Sequence, residues 1–165
     1  MATRTGHYIR PLLSLSREQT IEACSEAGLD YWSDPHNEDL SYTRVRVRKA
    51  VMPVLEENLG PGIAQALARS AQLFRDDADA LDEMARDIAR GIDIYDIAAL
   101  VELPRAIRTR ILRTVIYSLG APAGSLTAEH IGAVEALITA WRGQGEVCLP
   151  GNVKVSRISG RLSLS

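Results

Sequence analysis

The side chains Ile63, Leu67, Phe74, Ala78, Leu81, Ala85 and Ile88 recur in steps of three, four and seven. An α-helix brings such positions onto one face, so the spacing predicts a long amphipathic helix that closes near Gly91. A strand would point them alternately to two faces. A long helix with an apolar stripe must be covered by other elements, which restricts the chain to a packed, mainly helical architecture.

The flanking segments supply those elements. Ser16 followed by Gln19 has the spacing of a capping box, and Ile21, Cys24 and the residues up to Ala27 continue a helix that Gly28 stops. Residues 8–13 read as a strand end broken by Pro11, residues 29–32 as a short strand, and Asp34-Pro35-His36-Asn37 as a turn. Residues 40–59 carry two patterns. Positions 43–48 alternate like a strand. Taken as a helix, Val47, Val51, Val54 and Leu55 share a face, Asp39 caps the start and Pro53 kinks the middle. The helix accounts for more of the residues. Asn58-Leu59-Gly60-Pro61-Gly62 breaks the chain, and Pro61 can open the long helix. After a weaker apolar stretch over 92–103, Pro104 opens a helix with Ile107, Ile111, Val115 and Leu119 inside, ended by Gly120. Thr127 caps a last helix running to Trp141. From Val147 the pattern changes to short strands joined at Pro150-Gly151-Asn152 and Ser159-Gly160.

Apolar residues make up 46% of the 165, enough for a core, whereas aromatics at 5% are too few for a platform that stacks single-stranded bases. The net charge of −2 conceals a split. Residues 1–104 carry 11 Lys/Arg against 18 Asp/Glu, a balance of −7, and residues 105–165 carry 8 against 3, a balance of +5. A polyanionic partner is therefore not excluded. Cys24 and Cys148 lack partners at metal-ligand spacing. The first ten residues hold no apolar leader, and no run approaches the ~18 apolar residues of a membrane span. The expectation is a reduced, cytoplasmic protein with no membrane contact.

Functional residue types are densest over positions 34–49. Arg44, Arg46, Arg48 and Lys49 form a basic knot with no acid inside it, just past Asp34, His36, Asn37, Asp39 and Tyr42. On a helix Arg44 and Arg48 are i, i+4 neighbours at the end of an apolar stripe, where a guanidinium needs an acidic partner or a bound anion. Two readings stay open: the planar forks bind phosphate, or they ion-pair with Asp34, Glu38 or Asp39 and hold two pieces of chain together.

The pattern Asp-x-x-Asn-x-Asp-x-x-Tyr-x-Arg-x-x-x-Arg, matched by Asp34, Asn37, Asp39, Tyr42, Arg44 and Arg48 and followed by Met52-Pro53, resembles the segment where tRNA(Ile)-lysidine synthases pass from catalytic to helical domain. Upstream, Arg10-Pro11-Leu12-Leu13 followed by Arg17 resembles an element before the last helix of that catalytic domain. Downstream, Leu149-Pro150-Gly151 and Arg157-x-x-Gly160-x-Leu162 resemble the β-tail of the substrate-binding domain. The likeness covers nearly the whole chain. It departs from the family pattern at His36, where Ser is frequent, and at Val45, where Asn is frequent.

The resemblance implies a mainly α fold: a helical substrate-binding domain with a short β-tail, preceded by the last elements of an α/β domain like those of adenine nucleotide hydrolases. Residues 1–38 would close that ATP-pyrophosphatase domain, 39–60 form a connecting basic helix, and 61–165 form the substrate-binding domain. An intact enzyme of this kind uses ATP, with Mg, to ligate lysine to the wobble cytidine of the tRNA(Ile) CAU anticodon. The Ser-Gly-Gly-x-Asp-Ser loop that cradles its ATP has no counterpart between Met1 and Ser165, so the chain alone is expected to be inert and to bind no ATP. Arg44 and Arg48 would contact an anion near the reacting nucleotide, Arg46 and Lys49 outer tRNA phosphates, while Asp34, Asn37, Asp39, His36 and Tyr42 shape the site. Oligomeric state stays open, a homodimer included. The alternative is a non-enzymatic helical domain that binds nucleic acid or protein.

Other candidates are weaker. Asp76, Asp77, Asp79, Asp82, Glu83 and Asp87 crowd one helix without a chelating loop, and Arg75–Asp79 and Asp82–Arg86 have ion-pair spacing. Arg105, Arg108, Arg110 and Arg113 surround one helix, and Lys154, Arg157 and Arg161 lie on the tail; each set reads equally as phosphate contacts or as solvated charge. His130 falls in a helix's first turn and reads as structural.

Overall fold

The computed structural model describes the backbone of residues 4–5 and 7–165 and the side chains from His7 onward; Met1 and the rest of the chain's opening lie outside the described residues. The chain divides into two compact units, residues 1–64 and 65–165.

In the first unit β1 (Arg4–Thr5) and β2 (Tyr8–Ile9) form a short antiparallel pair. Helix α1 (Arg17–Glu26) starts at Ser16, whose side chain accepts from the Gln19 backbone at 3.2 Å while the Gln19 side chain accepts from the Ser16 backbone at 2.8 Å. Gly28, at φ +64, follows its C-terminus. The short strand expected over residues 29–32 does not form: they pair with no strand among the described residues. A 3-10 turn over Pro35–Asn37 leads to α2 (Thr43–Arg46), a π-helical turn (Val47–Val51) and α3 (Met52–Leu59).

The helical reading of 40–59 holds, with two corrections. Asp39 does not cap the helix; its carboxylate accepts from the Ser41 backbone at 2.8 Å, and the N-cap is Tyr42, which makes no side-chain cap bond. The disruption foreseen at Pro53 falls one turn earlier, where Met52 N–H donates to the Val47 carbonyl, five residues back. Pro53 has no N–H and its ring crowds the carbonyl four residues before it, so widening that turn relieves both problems. The expected apolar face changes accordingly. Val45 is the buried side chain at 2% exposure, whereas Val47, Val51 and Val54 are exposed.

Glu56 closes this unit. Its carboxylate accepts the backbone N–H of Gly62 at 2.6 Å and of Ala64 at 2.9 Å, satisfying donors at the start of α4 (Ile63–Gly91) that have no partner inside the helix. Pro61 precedes that helix by two residues rather than opening it.

In the second unit α4 ends at Gly91, as its periodicity foresees. Its stripe is only half used: Leu81, Ala85 and Ile88 join the core, while Leu67 and Phe74 are exposed. Three further helices follow, α5 (Ile97–Val101), α6 (Arg105–Ser118) and α7 (Ala128–Thr139), then a sheet of β3 (Val147–Cys148), β4 (Lys154–Ile158) and β5 (Arg161–Leu164) in antiparallel order β3-β4-β5. Asp96 caps α5 and Thr127 caps α7, whose last residue is Thr139 rather than Trp141. Leu100, Leu112, Ile116, Leu137, Val134 and Val155 are fully buried, each side chain contributing roughly 1.5–3 kcal/mol relative to exposure. Leu119, expected inside, is the exposed C-cap of α6, and Ile116 takes the inner position.

Val155 and Leu162 turn inward from the sheet, and the two-residue turn Ser159-Gly160, both at positive φ, sets the β4–β5 register Ile158↔Arg161. Gly151, at φ +81, meets the end of α6 so closely that a Cβ there would lie 2.8 Å from the Gly120 carbonyl oxygen and 3.0 Å from Ala121 Cα.

Candidate anion-binding site

The side chains singled out over positions 34–49 all belong to the first unit. Asp34 opens the 3-10 turn, its Oδ1 facing both the His36 backbone N–H at 2.9 Å and the His36 ring Nδ1 at 2.8 Å. A carboxylate can only accept, so the geometry puts a hydrogen on Nδ1, and in the neutral ring the lone pair is then on Nε2. The His36 backbone N–H first, then its ring N–H, hold the Asp34 carboxyl below the usual carboxylate range, with a smaller contribution from the charge of Arg44.

The His36 ring meets Tyr42 edge-on, at 5.7 Å between centroids and 75° between planes. On the same tyrosine lies the Arg44 guanidinium, 4.6 Å from the ring centroid. Among the described residues no hydrogen bond or ion pair engages the N–H donors of Arg44; it rests on the ring face, within the field of Asp34.

The other three cations are occupied. Arg48 Nη2 donates to the Asn37 carbonyl at 2.6 Å. Arg46 folds back on its own turn, donating to the Leu40 and Ser41 carbonyls at 2.9 and 2.7 Å and to Thr43 Oγ1 at 2.9 Å. Lys49 ion-pairs with Glu38. Of the ion pairs weighed from sequence for Arg44 and Arg48, none forms among the described residues. Both arginines are exposed and neither lines the shallow cleft of about 220 Å³ beside α1, which Arg17, Cys24, Trp32 and Asn37 border. Asp39 is held below the usual carboxylate range by the Ser41 backbone N–H and then by the Ser41 hydroxyl.

In the second unit most charges have protein partners. Asp82 pairs with Arg110 at 2.6 Å across α4 and α6 rather than with Arg86, which donates to the Asp82 backbone carbonyl instead. The foreseen Arg75–Asp79 pair is likewise absent among the described residues; Arg75 donates to Gln72. On the tail Lys154 pairs with Glu146 at 2.9 Å, Arg161 with Asp93 at 2.7 Å, and Arg157 donates to the Leu137 carbonyl while lying 5.3 Å over Trp141. His130 completes the α7 cap through its Nδ1, the structural role its position suggests. Among the described residues no three or more His, Cys, Asp or Glu are placed to hold a metal, and no helix is long and apolar enough to cross a membrane.

Sequence reasoning missed the group with the least solvent. Arg108 is 7% exposed, pairs with Glu135 at 2.8 Å and donates to the Leu103 carbonyl at 2.8 Å and the Val101 carbonyl at 3.2 Å; Arg105 reaches the same Glu135 at 2.9 Å. The signal was present: Glu135 is an acid among Ile131, Val134, Leu137 and Ile138 on an apolar helix face, and such an acid needs a cationic partner. Burial pushes the Glu135 carboxyl up, but the hydrogen bonds from Arg108 and Arg105 outweigh it and the net direction is down.

Two family models match the chain in order, the PP-loop domain over residues 1–55 and the TilS substrate binding domain over residues 96–163. A segment matching the PP-loop domain, followed by helices and a β-tail matching a substrate-binding domain, defines a class: proteins that join these two modules in this order. The chain is 53% identical over 169 residues to a tRNA(Ile)-lysidine synthase of Thermobifida fusca, a match covering 100% of this chain and 52% of that protein. It is 49% identical to one of Streptomyces coelicolor, over 95% of this chain and 46% of that protein, and 41% identical to one of Mycobacterium tuberculosis, over 93% and 50%. The chain belongs to the tRNA(Ile)-lysidine synthase family, and it spans about half the length of the curated relatives it matches.

Proposed function

We propose that the chain is the tRNA-binding part of a tRNA(Ile)-lysidine synthase, a ligase that spends ATP, with Mg, to join lysine to the wobble cytidine of tRNA(Ile). Residues 1–38 close the ATP-pyrophosphatase domain, 39–60 form the connecting helix, and 61–165 are the substrate-binding domain. ATP and lysine react in the intact enzyme, in the cytoplasm; the chain alone turns over neither. The order of the two matched domains and the names of the relatives support this reading.

Within the chain, the observation that carries it is Arg44: a guanidinium held by Tyr42 with its donors unspent, 4.6 Å from the ring. An arginine arranged this way is pre-organised for a phosphate, because stacking fixes its planar fork without using the N–H groups that the phosphate oxygens require. Arg48, four residues on, supplies the second charge. Asp34, Asn37, Asp39, His36 and Tyr42 build the turn that carries them. Arg46 and Lys49, already engaged by neighbours, add field at outer phosphates more than direct contact.

Filter binding of tRNA at several salt concentrations tests the site. Replacing both Arg44 and Arg48 by Ala is expected to weaken binding and make the salt slope shallower by about 2, one for each lost phosphate contact. Unchanged affinity and slope would remove direct contact from the reading. An intact enzyme that bound tRNA but never incorporated lysine would favour a plain binding domain.

A further inference from the structure

We propose that His36 accepts the proton of the lysine amine that attacks the activated cytidine; the inference rests on the ligase reading above. Lysine arrives at neutral pH as an ammonium ion, whose nitrogen has no free electron pair, so the step needs a proton acceptor beside the nucleotide. The Asp34–His36 pair has the arrangement of such an acceptor: a carboxylate 2.8 Å from ring Nδ1, the lone pair left on Nε2, and 61% of the imidazole side chain open to an incoming group. Turn formation does not require the ring contact, since the His36 backbone N–H already caps the turn on the same oxygen at 2.9 Å. The ring contact does something else: it fixes the tautomer and supplies a negative charge for the imidazolium that forms. His36 shares Tyr42 with Arg44, which places the acceptor beside the proposed anion site.

The step balances. One ammonium N–H bond breaks and its proton passes to His36 Nε2. The freed electron pair forms the new C–N bond at the cytidine carbon bearing the adenylate, the C–O bond to that adenylate breaks, and AMP leaves, its phosphate taking the second proton that the newly bonded nitrogen sheds. His36 then returns the proton to water. Serine, frequent here in the family pattern, cannot hold a proton, so the role is assigned to this chain and not to the family.

The test separates the two half-reactions in the intact enzyme. Pyrophosphate release with tRNA and ATP reads activation; lysine incorporation reads transfer. His36→Ala is expected to slow transfer by about 10²–10⁴-fold while activation changes far less, and added imidazole is expected to restore part of the transfer rate. His36→Asn, which keeps a polar side chain on the turn, decides the matter should the Ala variant lose its helical circular dichroism. Equal loss in both half-reactions, no loss, or no rescue by imidazole would overturn the assignment. Failure of the unmutated enzyme to release pyrophosphate would instead remove the ligase reading, and this step with it.

Discussion

Arg108 and Glu135, 27 positions apart in sequence, meet at 2.8 Å with less than a tenth of either side chain exposed. The arginine also donates to carbonyls at the end of α5, so this one contact ties α5, α6 and α7 together. Its Nε is buried with no hydrogen-bond partner among the described residues, so the buried pair leaves one donor unsatisfied. Removing the carboxylate with Glu135→Ala leaves a buried charge uncompensated and is expected to lower stability by about 3–5 kcal/mol in urea unfolding. Replacing both residues with apolar side chains of similar volume is expected to cost much less, which a double-mutant cycle would read.

Acid should act on the same contact. The folded Glu135 carboxyl lies below its ordinary value of 4.5, so its contribution is present above that value and is lost as pH falls through the folded one. Melting curves between pH 7 and pH 3 are expected to show a steeper loss for the native chain than for the apolar double variant. Parallel curves would show that the pair titrates alike folded and unfolded.

Gly151 offers a test of packing without charge. A methyl group at φ +81, directed at the Gly120 carbonyl oxygen, adds backbone strain to a collision that no rotamer relieves. Gly151→Ala is expected to cost at least ~2 kcal/mol, whereas Gly143→Ala, at φ +82 with open space around it, carries the strain alone.

Arg44 and Arg46 should separate cleanly despite lying two residues apart. Arg46→Ala removes three hydrogen bonds to the turn over 40–43 and is expected to raise amide exchange there several-fold. Arg44→Ala removes a stacked side chain that makes no hydrogen bond among the described residues and should leave exchange unchanged while weakening tRNA binding. The reverse outcome would exchange their roles.

Glu56 predicts a local effect. Its carboxyl is held below the usual range by the backbone N–H of Ala64 first and of Gly62 and Ile63 after it. Glu56→Ala is expected to speed exchange of those amides selectively, leaving residues 81–88 of α4 protected.

Much of this architecture could be read from the residues. The capping box at Ser16, the Pro104 start of α6 and the Thr127 cap follow local rules, each set by a backbone need met within four residues, while the helix closing at Gly91 and the three tail strands were legible from repeating pattern and turn residues. Segment 29–32 failed because short apolar runs look alike whether or not a partner strand exists. Val45 against Val47 and Val51 failed because periodicity assumes an unbroken helix. The basic knot was visible as composition, but which guanidinium is left open was not. Arg46 and Lys49 are taken up by carbonyls and an acid whose positions depend on the turn, and only folding brings Tyr42 under Arg44.

The wide turn over Val47–Val51 has a further effect. One residue more than an α-helical turn rotates everything after it by roughly 100° about the axis. Excising a single residue from that loop of helix would therefore spin Leu55 and Glu56 to another side while leaving Arg44 where it is. The turn is in this sense a phase adapter between α2 and α3, its setting written into the backbone rather than into any side chain.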